Sequence, residues 1–325
     1  AGAAAGTAAG KSTVRALSEH HLVGEAVSLG AVSFYDFLKA GNAGKKVFVC
    51  NGSACRVAGT QDPLHRNLAR HFTEEEIGHV CCLGRCHQGD AFQYGGNNYS
   101  GQTAAAVDSL VTTGRGDASD NYEVGSLLNP PLLTAAFPGL EKYYAVLSGV
   151  FARGRDALLV ELKESKLRGR GGAGFPLHLK WQSCREAAGA VKYIVCNADE
   201  GEPGTHKDRT LMEKDPHSIL EGVMIGAYAI GAHAAYIYVR DELHLSKKRL
   251  WDAIRECRAK GYLGQTPFDK NYALEIFVHT GAGAYICGEE TSLLNSLEGR
   301  RGEPRLKPPF PAQVGAFGCP STVNN

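Results

Sequence analysis

The spacing of apolar positions predicts an alternation of short strands and helices along most of this chain. Lys45–Cys50 (KKVFVC) reads as a strand and is followed by a loop of Cys and Gly. In PLHRNLARHFTEEE, Leu64, Leu68 and Phe72 share one helical face. After a second Cys loop, AFQYGG and NNYSG predict two short strands joined at Gly95-Gly96 and Asn97-Asn98, and TAAAVDSLVTT a closing helix. Residues 30–113 thus form a compact α/β unit in sequence, preceded by a flexible lead over 1–29. The stretch 114–131, without periodicity and rich in Gly, Asp, Ser, Asn and Pro, reads as a linker. From 132 to 325 the pattern alternates again. Strands are expected at 191–198, 234–240 and 274–280, each apolar enough to be buried on both faces, and helices at 157–167, 215–231, 246–261 and 289–299.

One stretch, Gly222–Val239, carries no formal charge and is just short of the roughly 20 residues that span a bilayer. Gly231, Ala232 and His233 interrupt it and Asp215-Pro216 opens a helix before it, so a buried helix followed by a strand accounts for it. Charge narrows the function classes. With 35 Lys+Arg against 34 Asp+Glu, a net charge of +1, and 43% apolar residues, the chain has neither the basic excess of a general nucleic-acid binder nor the acidity of a disordered tail. It has 40 glycines, which imply many turns or close backbone approaches.

Half of the 10 cysteines fall between Cys50 and Cys86, which reads as metal ligation in a reducing, cytoplasmic setting rather than a disulfide scaffold. Cys50 and Cys55 pair across four residues, Cys82 and Cys86 across three. Four thiolates could hold zinc or iron–sulfur; zinc favours two-residue knuckles, and these wider loops favour two irons. Cys81 does not fit the spacing and is assigned to packing. The singly scattered Cys184, Cys196, Cys257, Cys287 and Cys319 are assigned to structure.

Gly169–Gly174 (GRGGAG) satisfies a dinucleotide-binding pattern, but a helix precedes it where a strand belongs. What remains is a glycine loop whose amides can approach a phosphate or a flat ring, made positive by Arg168, Arg170 and Lys180. Asn197, Asp199, Glu200 and Glu202 crowd the end of an apolar strand, where ligands bind in open α/β sheets. Gly288, Glu289 and Glu290 stand at a helix start, whose amides can face an anion or a flat ring edge.

NGSAC with CLGRCHQGDAF resembles the thioredoxin-like [2Fe–2S] domain of the small flavoprotein subunit of complex I. LRGRGGAGFPLHLKW, CNADEGEPGTHKDR, GAGAYICGEETSLLNSLEG and RLKPPFPAQVGAFGCPSTVNN, in that order, resemble the FMN- and NADH-binding subunit of complex I and its soluble relatives. Those relatives include NAD-reducing hydrogenases, NAD-linked formate dehydrogenases and electron-bifurcating enzymes. The resemblance covers about residues 45–325. It implies an α/β fold, an N-terminal thioredoxin-like ferredoxin domain followed by a Rossmann-like FMN/NADH-binding domain. The cofactor set it implies is FMN and a [2Fe–2S] cluster on Cys50, Cys55, Cys82 and Cys86, with NAD(H) as substrate. FMN would meet Gly169, Arg170, Gly171, Gly172, Lys180, Asn197, Asp199, Glu200, Gly288, Glu289, Glu290, Asn324 and Asn325. The nicotinamide nucleotide would meet Phe175, Glu200, Glu202, Tyr285, Lys307 and Phe310, with Phe175 on the adenine. His206 departs from the family, which carries Phe there.

The family continues past TVNN into a further domain with a [4Fe–4S] motif; the sequence contains no such motif, so that cluster is expected only beyond Asn325. The implied activity is hydride exchange between NAD(H) and FMN and single-electron exchange with iron–sulfur, in one subunit of a larger redox complex. The partners expected are iron–sulfur and catalytic subunits, with no nucleic acid and no membrane insertion. No side chain is required as nucleophile or base. Two alternatives are an electron-transfer scaffold that binds no nucleotide and a thiol–disulfide oxidoreductase, the latter opposed by the absence of a C-x-x-C pair.

Overall fold

The computed structural model describes residues 8–114, 124–133, 135–264 and 272–325, with side chains from Val14 onward. Two helices open it, α1 (Ala8–His21) and α2 (Glu25–Phe34). The expected flexible lead is therefore corrected over 8–29. Val14 and Ser18, one turn apart, are buried, and the Ser18 hydroxyl donates to Ser28 across the pair at 2.8 Å. Residues 1–7 of that lead lie outside the described residues.

Next come β1 (Val47–Cys50), α3 (Ser53–Val57), α4 (Gln61–Leu68), β2 (Ile77–Val80), β3 (Phe92–Tyr94), β4 (Asn97–Tyr99) and α5 (Ala104–Thr113). The strands form one mixed sheet in the order β2-β1-β3-β4, with β1 parallel to β2 and antiparallel to β3. Alternation along β1 divides its faces. Val47 and Val49 join Leu64, Leu68, Phe72, Val107 and Leu110 in one core, while Phe48 and Cys50 turn toward Cys55, Leu83 and Phe37. Residues before β1 touch both units: the Asn42 side chain donates to His79 O of β2 at 2.8 Å. Tyr35 packs with Val195, Tyr238 and Leu293 of the second sheet, and the amides of Asp36 and Phe37 donate to Gly283 and Ala282.

Residues 124–133 carry neither helix nor strand and are mostly exposed; 115–123, the bulk of the expected linker, lie outside the described residues. The larger unit contains α6 (Leu140–Tyr143), α7 (Ala145–Ser165), α8 (Leu177–Glu186), β5 (Tyr193–Ala198), α9 (Lys207–Lys214), α10 (Pro216–Ile230), β6 (Ala234–Val239), α11 (His244–Ala259), β7 (Glu275–Thr280), α12 (Glu290–Leu297) and β8 (Ser321–Asn324). The helix expected from 157 starts twelve residues earlier and is broken at Gly154, whose φ of 84° no helix accommodates. The uncharged stretch from Gly222 resolves into α10 and β6, separated by Gly231 in the left-handed region. Asp215 caps α10 by accepting from the Ser218 amide, with Pro216 in the first turn. No helix among the described residues is long and apolar enough to cross a membrane.

The second sheet is wholly parallel, in the order β7-β6-β5-β8. Ile194, Ala235, Ile237 and Val239 face the helical layer of α7, α8, α10 and α11, while Val195 and Tyr238 face α12 and Tyr35. Both faces of the inner strands are thus covered, as their unbroken apolar runs require. The chain steps from β5 to β6 to β7 and then returns to the other side of β5 as β8. That reversal makes a topological switch point between β5 and β8, and the carboxyl ends of strands at such a point are where open α/β sheets take ligands.

Candidate functional site

Asn197, Asp199, Glu200 and Glu202 leave β5 at this switch point, and each is held differently. The Asn197 side chain donates to the Gly288 carbonyl at 2.9 Å, which ties β5 to the segment before α12. Asp199 is 3% exposed and its Oδ2 has no hydrogen-bond partner among the described residues. Burial pushes its carboxyl up to about 7; Arg240 opposes that rise and Glu242 adds to it. Glu200 takes a positive φ of 41° and its carboxylate accepts from the amides of Asp208 and Arg209 at 2.6 and 3.2 Å, so it caps α9. Glu202 accepts from the Tyr285 hydroxyl at 2.5 Å. Gly201 lies between them because a Cβ there would stand 3.1 Å from the Tyr285 ring and 3.3 Å from Asp199 Oδ2.

The glycine loop reaches the same place from the other side. It is pinched at its base by Gly169 N–H donating to Phe175 O at 2.9 Å and by a bridge between Arg168 and Pro176. A Cβ on Gly171 would come 4.0 Å from that of Asn325, which puts the loop against the end of β8. Arg168 and Arg170 donate back to loop carbonyls, Gly174 O and Arg168 O. Asn325 in turn accepts from Lys207 and donates to Asp208 and to Asn197 O, at 2.6, 2.7 and 3.2 Å. Asn324 faces away from Asn325's partners: its Oδ1 accepts from Trp181 Nε1 at 2.9 Å. Lys207, Asp208 and Trp181 were not among the residues expected here, although the first two stand in the GTHKDR segment.

α8 presents Lys180 to Glu290 at 3.0 Å, and Lys307 bridges Glu290 and Glu289 at 2.7 and 3.1 Å. Burial raises the Glu290 carboxyl, but the bond from Lys307 and the charge of Lys180 outweigh it and hold it below its ordinary range. One expectation is corrected here. The first amides of α12 do not face an anion from outside, because Glu289 Oε2 accepts from Thr291 N and Ser292 N at 2.8 and 2.9 Å. Phe175, Tyr285 and Phe310 are each more than half exposed around this charge chain, so none is a core residue.

The four expected cysteines converge. Cys50 ends β1, Cys55 sits on α3, and Cys82 and Cys86 flank the loop after β2. The Cys82 and Cys86 sulfurs are 3.5 Å apart, and the Cys50 thiol donates to Cys81 O at 3.3 Å. Amides point at the sulfurs: Gly52 N–H at Cys50 and Gly84 N–H at Cys82. Bonds from Cys50 and Cys86 pull the Cys82 thiol far down, and the bond from Cys50 brings Cys55 down to about 7. A Cβ on Gly52 would lie 3.1–3.3 Å from Cys81 O, Cys50 Sγ and Cys82 Cβ, so glycine lets the two loops close on each other. Among the described residues, no group of three or more His, Cys, Asp or Glu is arranged to hold a metal ion. Cys81 is exposed, which overturns its assignment to packing. Cys184, Cys257 and Cys287 are buried.

Two buried arginines dock this cysteine unit onto the parallel sheet. Arg209 donates to Gly84 O and pairs with Glu213 at 3.0 Å; Arg240 donates to Cys82 O. His206 meets His87 edge-on at 5.4 Å, so its ring packs across the same joint. The cysteine set and the switch point therefore adjoin.

Residues 162–325 match the family described as Nuo51 FMN-binding domain. The chain belongs to this family. It is 58% identical over 174 residues to an NADH-quinone oxidoreductase subunit of Rhizobium meliloti (strain 1021), covering 53% of this chain and 40% of that protein. It is 51% identical over 178 residues to NADH dehydrogenase [ubiquinone] flavoprotein 1, mitochondrial, of Dictyostelium discoideum, covering 54% and 37%. The chain thus spans about two-fifths of the length of these curated relatives. Among solved structures, it is similar to the NAD+-reducing [NiFe]-hydrogenase in its H2-reduced state, with a TM-score of 0.77 and 30% identity over 97% of this chain and 56% of the hydrogenase chain. That likeness extends over the cysteine unit as well as the family region.

Proposed function

We propose that this chain is the NADH-oxidising, electron-entry part of a multi-subunit redox complex. FMN would lie at the switch point between β5 and β8, and NAD(H) beside Phe175, Glu202, Tyr285, Lys307 and Phe310. The observation that carries the reading is Asp199 Oδ2, a buried acceptor at the carboxyl end of β5 with no hydrogen-bond partner among the described residues, beside Gly201 and Gly288, where a Cβ would stand 3.3 and 3.5 Å from it. An orphaned buried polar atom costs on the order of 1–3 kcal/mol unless a ligand satisfies it. When bound, FMN exchanges a hydride with nicotinamide and single electrons with iron–sulfur.

The chain's own residues would bind, align and exclude water. Asn197 and Asn325 fix the two strand ends, Lys180 and Lys307 supply positive charge beside Glu289 and Glu290, and exposed Phe175 and Phe310 offer flat surfaces to a base. Glu202 would hold the nucleotide's ribose end and disfavour a 2′-phosphate. The convergent thiols and their amide donors support a [2Fe–2S] cluster on Cys50, Cys55, Cys82 and Cys86, since N–H groups aimed at sulfur stabilise thiolate-bound iron. The mixed sheet of 47–113 supports a thioredoxin-like unit around it. The complex served, whether formate-, hydrogen- or quinone-linked, is set by other subunits.

The test is an anaerobic titration of protein from its native host with NADH, following flavin absorbance and electron paramagnetic resonance. Flavin bleaching with a rising cluster signal is expected. Bound FMN that responds to NADPH and not NADH would remove the carboxylate argument, and protein with neither flavin nor iron would make it a scaffold.

A further inference from the structure

We propose that Arg240 is a positioning residue that joins the cysteine set to the FMN site and raises the reduction potential of the group those cysteines hold. The inference rests on the reading of Cys50, Cys55, Cys82 and Cys86 as [2Fe–2S] ligands. Arg240 directly follows β6 and is 7% exposed. Its guanidinium donates to three segments at once: to Cys82 O in the ligand loop, to Glu200 O in the acidic turn at 3.2 Å, and to Glu242 Oε1 at 3.0 Å. A planar fork that is always charged suits this three-way junction, and a lysine could not reproduce it.

The charges around it define the effect. Glu242 and Asp199 are both buried, and each keeps one carboxylate oxygen without a hydrogen-bond partner among the described residues. Arg240 pairs directly with Glu242 and holds the carbonyl of Glu200, the residue next to Asp199. Reduction of the bound cluster takes one electron from a reductant, moves no proton and breaks no bond, and leaves the site one unit more negative. A fixed cation at a carbonyl of a ligand residue, away from solvent, favours that added charge far more than it would in water. Glu242, as its counterion, must work against it.

The measurement is a potentiometric titration of the full chain with dithionite, read by electron paramagnetic resonance, for the wild type, Arg240→Gln, Arg240→Lys and Glu242→Gln. Arg240→Gln is expected to lower the reduced-to-oxidised ratio at a fixed potential by at least tenfold, which is about 59 mV for a one-electron couple. Arg240→Lys shifts it less, and Glu242→Gln shifts it the opposite way. Equal potentials in wild type and Arg240→Gln at equal iron content overturn the proposal. If Arg240→Gln loses its iron, Glu242→Gln decides: a rise in potential supports the proposal, and no shift or a fall overturns it. A wild-type chain without iron removes the cluster reading and the proposal with it, an outcome distinct from an iron-loaded chain that shows no shift.

Discussion

Asp199 shows how one side chain can report on its surroundings through pH. Its carboxyl ordinarily titrates near 3.8 and burial moves it to about 7 in the folded chain. A folded-state pKa above the unfolded value means that the folded form holds the proton more tightly. The associated stability is complete below pH 4 and is lost as pH rises through about 7. The shift corresponds to roughly 4 kcal/mol at most. Asp199→Asn should therefore unfold at a higher temperature than the wild type at pH 8, with the difference vanishing near pH 4, when flavin-free proteins are compared by calorimetry. Parallel curves for the two proteins across that range would show that Asp199 is ionised in the fold. Gly201 belongs to the same scale. A Cβ on it would stand 3.1 and 3.3 Å from Tyr285 and Asp199, a close approach that no sequence pattern distinguishes from an ordinary turn.

At the scale of elements, α10 is the helix on which the larger core is built, and two positions test how it is held. Gly226 faces Ile194 of β5 and Trp181 of α8, where a Cβ would stand 2.4 and 3.0 Å from side-chain atoms. Alanine is the better helix former by about 1 kcal/mol, but here overpacking dominates. Gly226→Ala should cost about 1–3 kcal/mol in urea unfolding, and a stabilised variant would mean that the helix can move away from the sheet. Asp215→Ala removes the cap on Ser218 N and the bond from Tyr143. A loss of about 1 kcal/mol is expected, measured on the same unfolding curves.

The whole molecule depends on the joint between its two sheets. Arg209 and Glu213 form an ion pair with side chains only 5% and 2% exposed, and Arg209 also reaches Gly84 O in the ligand loop. Removing one member of such a pair leaves a buried charge uncompensated. Arg209→Met should destabilise the chain by about 3–5 kcal/mol and make the segment around 82–90 more open to limited proteolysis. Unchanged stability would mean that the two units are held by other contacts, such as Gln93 with His244 at 2.8 Å.

Short-range pattern determined much of this protein. The strands β1, β3, β4, β5, β6 and β7, the uncharged stretch as a buried helix and a strand, and the two cysteine pairs could all be read locally, because side-chain period, turn residues and capping act over a few positions. The segment STVN was not legible as β8, since four residues carry little periodicity and become a strand only by pairing with β5. The helices before residue 30 were missed because small residues blur an amphipathic face. Tertiary structure alone decided that Glu200 caps α9, that Glu289 occupies the amides of α12, and that Arg240 joins Cys82 to the acidic turn. Each of these contacts depends on where a charged side chain can find a partner once water is excluded, and those partners lie in segments that only the fold brings together.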